Sequence, residues 1–370
     1  VPSGLTTTTY KGAVAPTGTE WFAGWTFLAN VVKGNTKDIN RNLTFAKTVT
    51  ITDNGTGIGT MTFKKDTLYI LDGLCFVNSG QTLTIEPGTV IKGKTTPTTS
   101  VASALIVAQG GKIEAVGTAT EPIIMTYDGD KLDGTTDVTT RGQWGGLILI
   151  GKATTNRAVQ TGAVEGIPTT ETRATFGGTD DVDNSGTLKY VSIRHGGSDI
   201  GAGNEINGLS LYSVGSSTTI DYIEIMSNKD DGIEWFGGTV GLTHFISAFC
   251  GDDGFDYDEG YRGKNQFGIV YQDPTTGNAD RGGEHDGGPS DCEDCTPFAT
   301  PLFYNVTSVG NPDSRAITFR DNAGGEYHNS IFVNYKKGID VELLLGVAQD
   351  SYKQYQDKNL KIENNIFNNI

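Results

Sequence analysis

Residues 207–271 read NGLSLYSVGSSTTIDYIEIMSNKD (207–230), DGIEWFGGTVGLTHFISAFCGD (231–252) and DGFDYDEGYRGKNQFGIVY (253–271). Each segment opens on Asn-Gly or Asp-Gly, at Asn207, Asp231 and Asp253, in steps of 24 and 22 residues. Each continues with a short alternating run, a Gly-rich corner and a second β-rich run. The phase returns in RAITFR (315–320) and KGIDVE (337–342), where Ala316 and Gly338 are again 22 apart. A period near 22 without a helical pattern is the mark of a stacked repeat. One turn of short strands cannot bury its own apolar face. A stack of turns buries a continuous core and pairs the backbone amides from turn to turn.

The phase predicts columns. Leu209, Ile233, Phe255, Ile317 and Ile339 share one inward position. Leu211, Trp235, Tyr257, Phe319 and Val341 share the next, two residues on. Ser210, Glu234, Asp256, Thr318 and Asp340 fall between them and face outward. A second set of β runs carries Tyr190, Tyr222, Phe245, Phe267, Phe303 and Tyr327, and Asn305, Asn329 and Asn365 suggest an amide ladder at a turn. The pattern is that of an all-β chain folded as a right-handed parallel β-helix.

Working outward, residues 1–66 read as an N-terminal arm and cap. A Thr-rich stretch without periodicity leads to WFAGWTFL (21–28), whose Trp21 and Trp25 suit a cap packed on the first turn. Residues 67–370 read as the solenoid, with insertions near 153–178 and 272–300. In the first turns, Glu86-Pro87-Gly88 matches a type II turn.

The 370 residues carry 51 Gly and a formal charge of −16, which argues against nucleic acid or an anionic membrane as partner. No apolar run approaches the length of a membrane-spanning helix. Cys75 and Cys250 lie in apolar β runs and read as buried thiols. Cys292 and Cys295 (DCEDC) lack the second ligand pair that structural zinc needs, and are expected to form a local disulfide.

YILDG (69–73), VNSGQTLTIEPGTVIKGK (77–94), WGGLILIGKA (144–153), GTLKYVSIRHGG (186–197), DRGGEHDGG (280–288) and AITFRDNAGGEYHNSIF (316–332) resemble a family of secreted right-handed β-helix proteins common in Bacteroidota. The likeness runs over roughly residues 10–370. It implies the fold and a secreted, cell-surface location as cargo of the type nine secretion system. It implies no particular activity.

Two candidate chemistries stand out. Aligning GGEHDGG with DGFDYDEG places Glu284, His285 and Asp286 beside Asp256 and Asp258, with Glu234 one turn below and Arg320 and Glu342 above. Asp256, Asp258, His285 and Arg320 are the candidate catalytic groups, since carboxylates with a His and an Arg are the parts used by β-helix lyases and hydrolases of acidic polysaccharides. The other candidate is structural calcium. Asp181, Asp183 and Ser185, followed by Gly186, match the start of an EF-hand loop, although residue 192 is Ser where that loop needs Glu. Asp128 with Asp130, and Asp252 with Asp253, form further oxygen clusters.

The leading functional expectation is a secreted, calcium-stabilised structural or adhesive β-helix. It would bind extracellular polysaccharide or associate end to end through a free N-terminal arm and a C-terminal strand edge. The alternative is a polysaccharide lyase or hydrolase acting through the acidic face.

Overall fold

A computed structural model describes residues 1–34, 43–98, 100, 102–201, 204–289 and 292–370. The chain coils into a right-handed parallel β-helix. Its nine-stranded parallel sheet runs from Leu74–Val77 through Ala104–Val107, Leu147–Ile150, Leu209–Tyr212, Ile233–Phe236, Phe255–Asp258, Gly283–Asp286 and Arg315–Arg320 to Lys337–Val341. A seventeen-stranded sheet wraps the remaining sides. The solenoid begins at Lys47–Ile51, which pairs with Thr67–Leu71, so its first strand lies ahead of Thr67 and inside the segment read as cap.

The expected register holds in the nine-stranded sheet. Leu209 pairs with Ile233, and Ile233 with Phe255; Leu211, Trp235, Tyr257, His285, Phe319 and Val341 form the next inward column. Ile233, Phe255 and Ile317 are at most 1 % exposed. The turn at 283–286 adds a rung that the 22-residue phase skips, with Gly283 beside Phe255.

At one corner the seventeen-stranded sheet turns through residues with positive φ: Tyr190, Tyr222, His244, Phe267, Asn305, Asn329 and Asn364. Non-glycine residues pay for this conformation, and asparagine pays least. The first four instead stack their rings, at 4.3 Å (Tyr190–Tyr222), 4.3 Å (Tyr222–His244) and 4.8 Å (His244–Phe267). Several sequence assignments change here. His244, not Phe245, lies in the aromatic column, because Phe245, like Phe303 and Tyr327, points into the core. Asn364, not Asn365, follows Asn329, whose amide N–H donates to the Glu363 carbonyl.

The N-terminal segment lies along this corner. The side chains of Asn305 and Asn329 donate to Thr8 and the Tyr10 carbonyl rather than to each other. Gln266 exchanges two hydrogen bonds of 2.8 Å with the backbone of Thr6. Trp21 packs on Tyr222 and His244, and Trp25 on Tyr190 and Tyr222. The aromatic segment therefore covers middle turns, not the first. The arm expected to be free for a neighbouring subunit is held by its own solenoid. The helix Phe27–Val32 that follows places its first amides on buried Glu224, at 3.0 Å (Phe27) and 2.8 Å (Leu28).

Candidate functional site

The outer face of the nine-stranded sheet changes character along its length. In the early rungs it is apolar: Phe76, Ile106, Ile148, Ile150, Tyr212 and Phe236 are buried beneath Val164, Ile167 and Phe176 of the 153–178 insertion. Arg173 fastens that insertion, with its guanidinium 4.0 Å from the Phe76 ring centre and 2.6 Å from Asp53. From the rung of Ile233–Phe236 onward the outward positions become acidic. Glu234, Asp256 and Glu284 stack in one column between Ser210 and Thr318; Asp258, Asp286 and Arg320 continue the column of Tyr212 and Phe236. At the corner before the strands, Asn207, Asp231, Asp253 and Arg281 occupy successive rungs.

The second insertion closes one side of this face. Cys292 and Cys295 form the expected disulfide. The Asn322 amide donates to the Glu293 carbonyl at 2.9 Å, and the Asn156 amide to the Gly287 carbonyl at 2.7 Å, which ties the two insertions to the rim. Cys75 and Cys250 are buried free thiols, as their apolar surroundings suggested.

Among the described residues, the guanidiniums of Arg320 and Arg281 are taken up by the protein's own carboxylates. Arg320 holds Asp286 by two bonds of 2.7 and 3.0 Å and also lies 3.0 Å from Glu284. Arg281 reaches Asp280 at 2.8 Å, Glu284 at 3.0 Å and Asp253 at 3.3 Å. Among the described residues, Asp256 has no such partner: one of its carboxylate oxygens is buried without a hydrogen bond. Burial, followed by the charges of Glu234, Asp231, Asp286 and Asp253, pushes its pKa well above the carboxylate range. Asp231, Glu234 and Asp253 shift upward for the same two reasons. Burial, then Glu259 and Asp286, raises Asp258 to about 8.

Carboxylate oxygens of Asp231, Asp253 and Asp256 lie within 4.8 Å of one another, as do those of Asp230, Asp231 and Asp252 and those of Asp252, Asp253 and Asp280. An all-oxygen set of this kind suits a hard divalent cation such as calcium. Asp252 and Asp253 were legible in the sequence, and their partners Asp230 and Asp231 carried the same signal: Asp-Asp-Gly occurs at 230–232 and again at 252–254. Arg281 was missed because Arg-Gly at 281–282 replaces Asp-Gly one turn later.

The other sequence candidates lie elsewhere. Among the described residues, Asp181, Asp183, Ser185, Asp128 and Asp130 belong to none of the converging carboxylate triads. Asp181 accepts from the Thr154 amide at 2.9 Å and faces Arg262, Asp183 accepts from the Lys152 amide at 3.1 Å, and the Ser185 amide donates to Thr218 at 2.8 Å. Asp128 bonds Thr95, and Asp130 is buried against Thr126, Leu132 and Thr136. These residues fasten turns. His285 is a correction to the catalytic set. Strand alternation turns it away from Glu284 and Asp286 into the core, where it is 0 % exposed and burial drives its pKa down to about 3.

Residues 55–370 match the family model described as a pectate-lyase-like beta helix domain. No curated protein and no solved structure matches the chain.

Proposed function

We propose that this chain, which belongs to the pectate-lyase-like beta helix domain family, is an extracellular enzyme that hydrolyses glycosidic bonds of a polysaccharide on the acidic face. The observation that carries the reading is the pair Asp258 and Asp286, outward neighbours on adjacent rungs in unlike surroundings. Asp286 is gripped by Arg320. Asp258 is driven by burial and neighbouring charge to a pKa of about 8. Two titratable groups whose surroundings differ in this way supply an acid and a base. In hydrolysis, Asp258 would give its proton to the leaving oxygen as the C–O bond breaks, and Asp286 would take a proton from the attacking water.

Elimination would instead require free cationic groups to neutralise a uronate carboxylate, and Arg281 and Arg320 are already bound to protein carboxylates. The structural or adhesive role expected from the sequence accounts less well for this face. A ladder serving stability alone would pair its acids, whereas the Asp256 carboxylate lies among other carboxylates with no ion pair among the described residues. Calcium belongs to the proposal as a structural ion at Asp231, Asp253 and Asp256, at the corner that leads into the strand of Asp258. The disulfide is in keeping with an oxidising, extracellular setting.

The test is to incubate neutral and acidic polysaccharides with wild type and with Asp258→Asn, following reducing ends and the ultraviolet absorbance of unsaturated products. Reducing ends that form without unsaturation, and that vanish in the variant, are expected. Unsaturated products, or cleavage undiminished in Asp258→Asn, would overturn the assignment.

A further inference from the structure

The chain leaves the acidic face into an apolar, exposed segment. Glu342 follows Val341 in the column of Asp258, Asp286 and Arg320, and its carboxylate accepts from the Asp321 amide at 2.9 Å. The next residues are exposed although apolar: Leu343 is 58 % exposed and Leu345 91 %. The short helix Ser351–Gln356 then returns, with the Tyr352 amide donating to the Glu342 carbonyl at 3.0 Å. Tyr352 and Tyr355 stand side by side on it, ring centres 6.0 Å apart and 30° from coplanar, 39 % and 54 % exposed. The helix is fixed beside the acidic face: Gln354 donates to Asn322 at 2.6 Å, and Asn322 donates to the Glu293 carbonyl.

Resting on the hydrolase reading above, we infer that Tyr352 and Tyr355 form a stacking platform for uncharged sugar residues of the same glycan chain that is cut at Asp258 and Asp286. Three observations carry this. The platform is joined to the acidic face through Glu342, whose carbonyl accepts from the Tyr352 amide. It lies two rungs beyond Asp286, about 10 Å along the helix axis at the spacing of parallel strands, and one rung is close to the advance of one sugar residue along a glycan. Its chemistry is that of a pyranose face: two flat, exposed rings, with the lysine between them, Lys353, paired to the Asp357 carboxylate. The carboxylates beside it, Glu342, Asp321 and Glu293, would repel an acidic chain. The substrate class is therefore a neutral polysaccharide.

The experiment is affinity electrophoresis of the full chain in native gels containing soluble xylan, galactomannan or mixed-linkage glucan, with polygalacturonate as the acidic comparison. Wild type, Tyr352→Ala/Tyr355→Ala and Tyr352→Phe/Tyr355→Phe are run together, and cleavage of each glycan is followed separately. Retardation of wild type by a neutral glycan is expected, weakened roughly tenfold in the alanine pair and kept in the phenylalanine pair, since stacking needs the ring and not the hydroxyl. The exposed rings leave the melting temperature of both pairs near wild type. Retardation by a neutral glycan that is unchanged in the alanine pair overturns the platform and leaves the hydrolase standing. Retardation and cleavage confined to polygalacturonate overturn the neutral substrate. Absence of both on every glycan overturns the platform together with the hydrolase reading.

Discussion

The ring of His285 lies 4.1 Å from that of Tyr257, 12° from parallel, one rung along inside the solenoid. Its Nε2 is 2.8 Å from the Tyr327 hydroxyl. The imidazole thus serves as one more flat ring in an aromatic stack that includes Phe303, and its neutral form suits a site without water. Replacing it by phenylalanine keeps the ring and removes the bond to Tyr327. His285→Phe is expected to lower stability by about 1–2 kcal/mol, the cost of a buried hydroxyl left without its partner, and to leave cleavage within a few fold of wild type. Denaturant melts and the reducing-end assay check both. A loss of activity comparable to that of Asp258→Asn would return His285 to the catalytic set.

The repeat was legible because its inward positions, such as Ile233 and Trp235, recur at a fixed offset from Asp-Gly, and burial fixes strand register strongly. The acidic column was legible for the same reason: Glu234, Asp256 and Glu284 alternate with core residues. His285 obeys that alternation too, but His in an acidic motif reads as chemistry until its parity is counted. What the linear sequence did not reveal comes from long-range contacts. The docking of Trp21 on His244 spans more than two hundred positions, and no local period encodes it. The spent charge of Arg281 and Arg320 was equally hidden, because it depends on which carboxylates flank them across rungs.

Glu224 makes the N-terminal docking testable. It is 0 % exposed, and its two carboxylate oxygens accept from the amides of Phe27 and Leu28, while the Ser192 hydroxyl donates to it at 2.5 Å. Glutamine at this position would turn an NH₂ group toward a backbone N–H. Glu224→Gln is expected to destabilise the docked segment by about 1–3 kcal/mol. Limited proteolysis should cut residues 20–34 faster in the variant, with the solenoid left intact. Equal cutting rates would mean that the aromatic contacts of Trp21 and Trp25 suffice to hold the segment.

The corner of Asp231, Asp253 and Asp256 predicts a response to divalent cations. Three carboxylates whose oxygens lie within 4.8 Å repel one another, and a bound cation removes that repulsion. Calcium at about 100 times its dissociation constant should stabilise the fold by about 2.7 kcal/mol. The rise in melting temperature should be lost on adding chelator and be much reduced in Asp231→Asn. A calcium-dependent shift of the same size in Asp231→Asn would place the ion elsewhere, and identical melts with calcium and with chelator would remove it from the protein.

The last prediction follows from the direction of the pKa shifts on the acidic face. Asp258 has its folded-state pKa raised to about 8, and Asp231, Glu234, Asp253 and Asp256 are also raised. The folded protein therefore holds protons that the unfolded chain has released. The stability these groups contribute is fully present below the ordinary carboxylate range and is lost as pH rises toward 8. Carboxylates shifted downward act in the opposite sense. Glu171 is lowered by its hydrogen bond to Arg173. Burial alone would raise Asp130, but the charge of Arg194 and the Leu132 amide outweigh it. Their contribution is present above the ordinary range and is lost as pH falls through it. Stability should therefore peak at mildly acidic pH and decline toward pH 8, where Asp258 loses its proton. Asp258→Asn keeps the shape and removes the charge. It should raise the melting temperature near pH 8 by a few degrees, the shift that about 1–2 kcal/mol produces in a large domain, and change it little near pH 4. It should also reduce hydrolysis by about 10²–10⁴-fold, the usual contribution of a positioned acid. Wild-type activity should fall as pH rises through 8. A variant that loses activity but melts like wild type at every pH would keep Asp258 as the acid and show that its proton is not held by its surroundings in the fold.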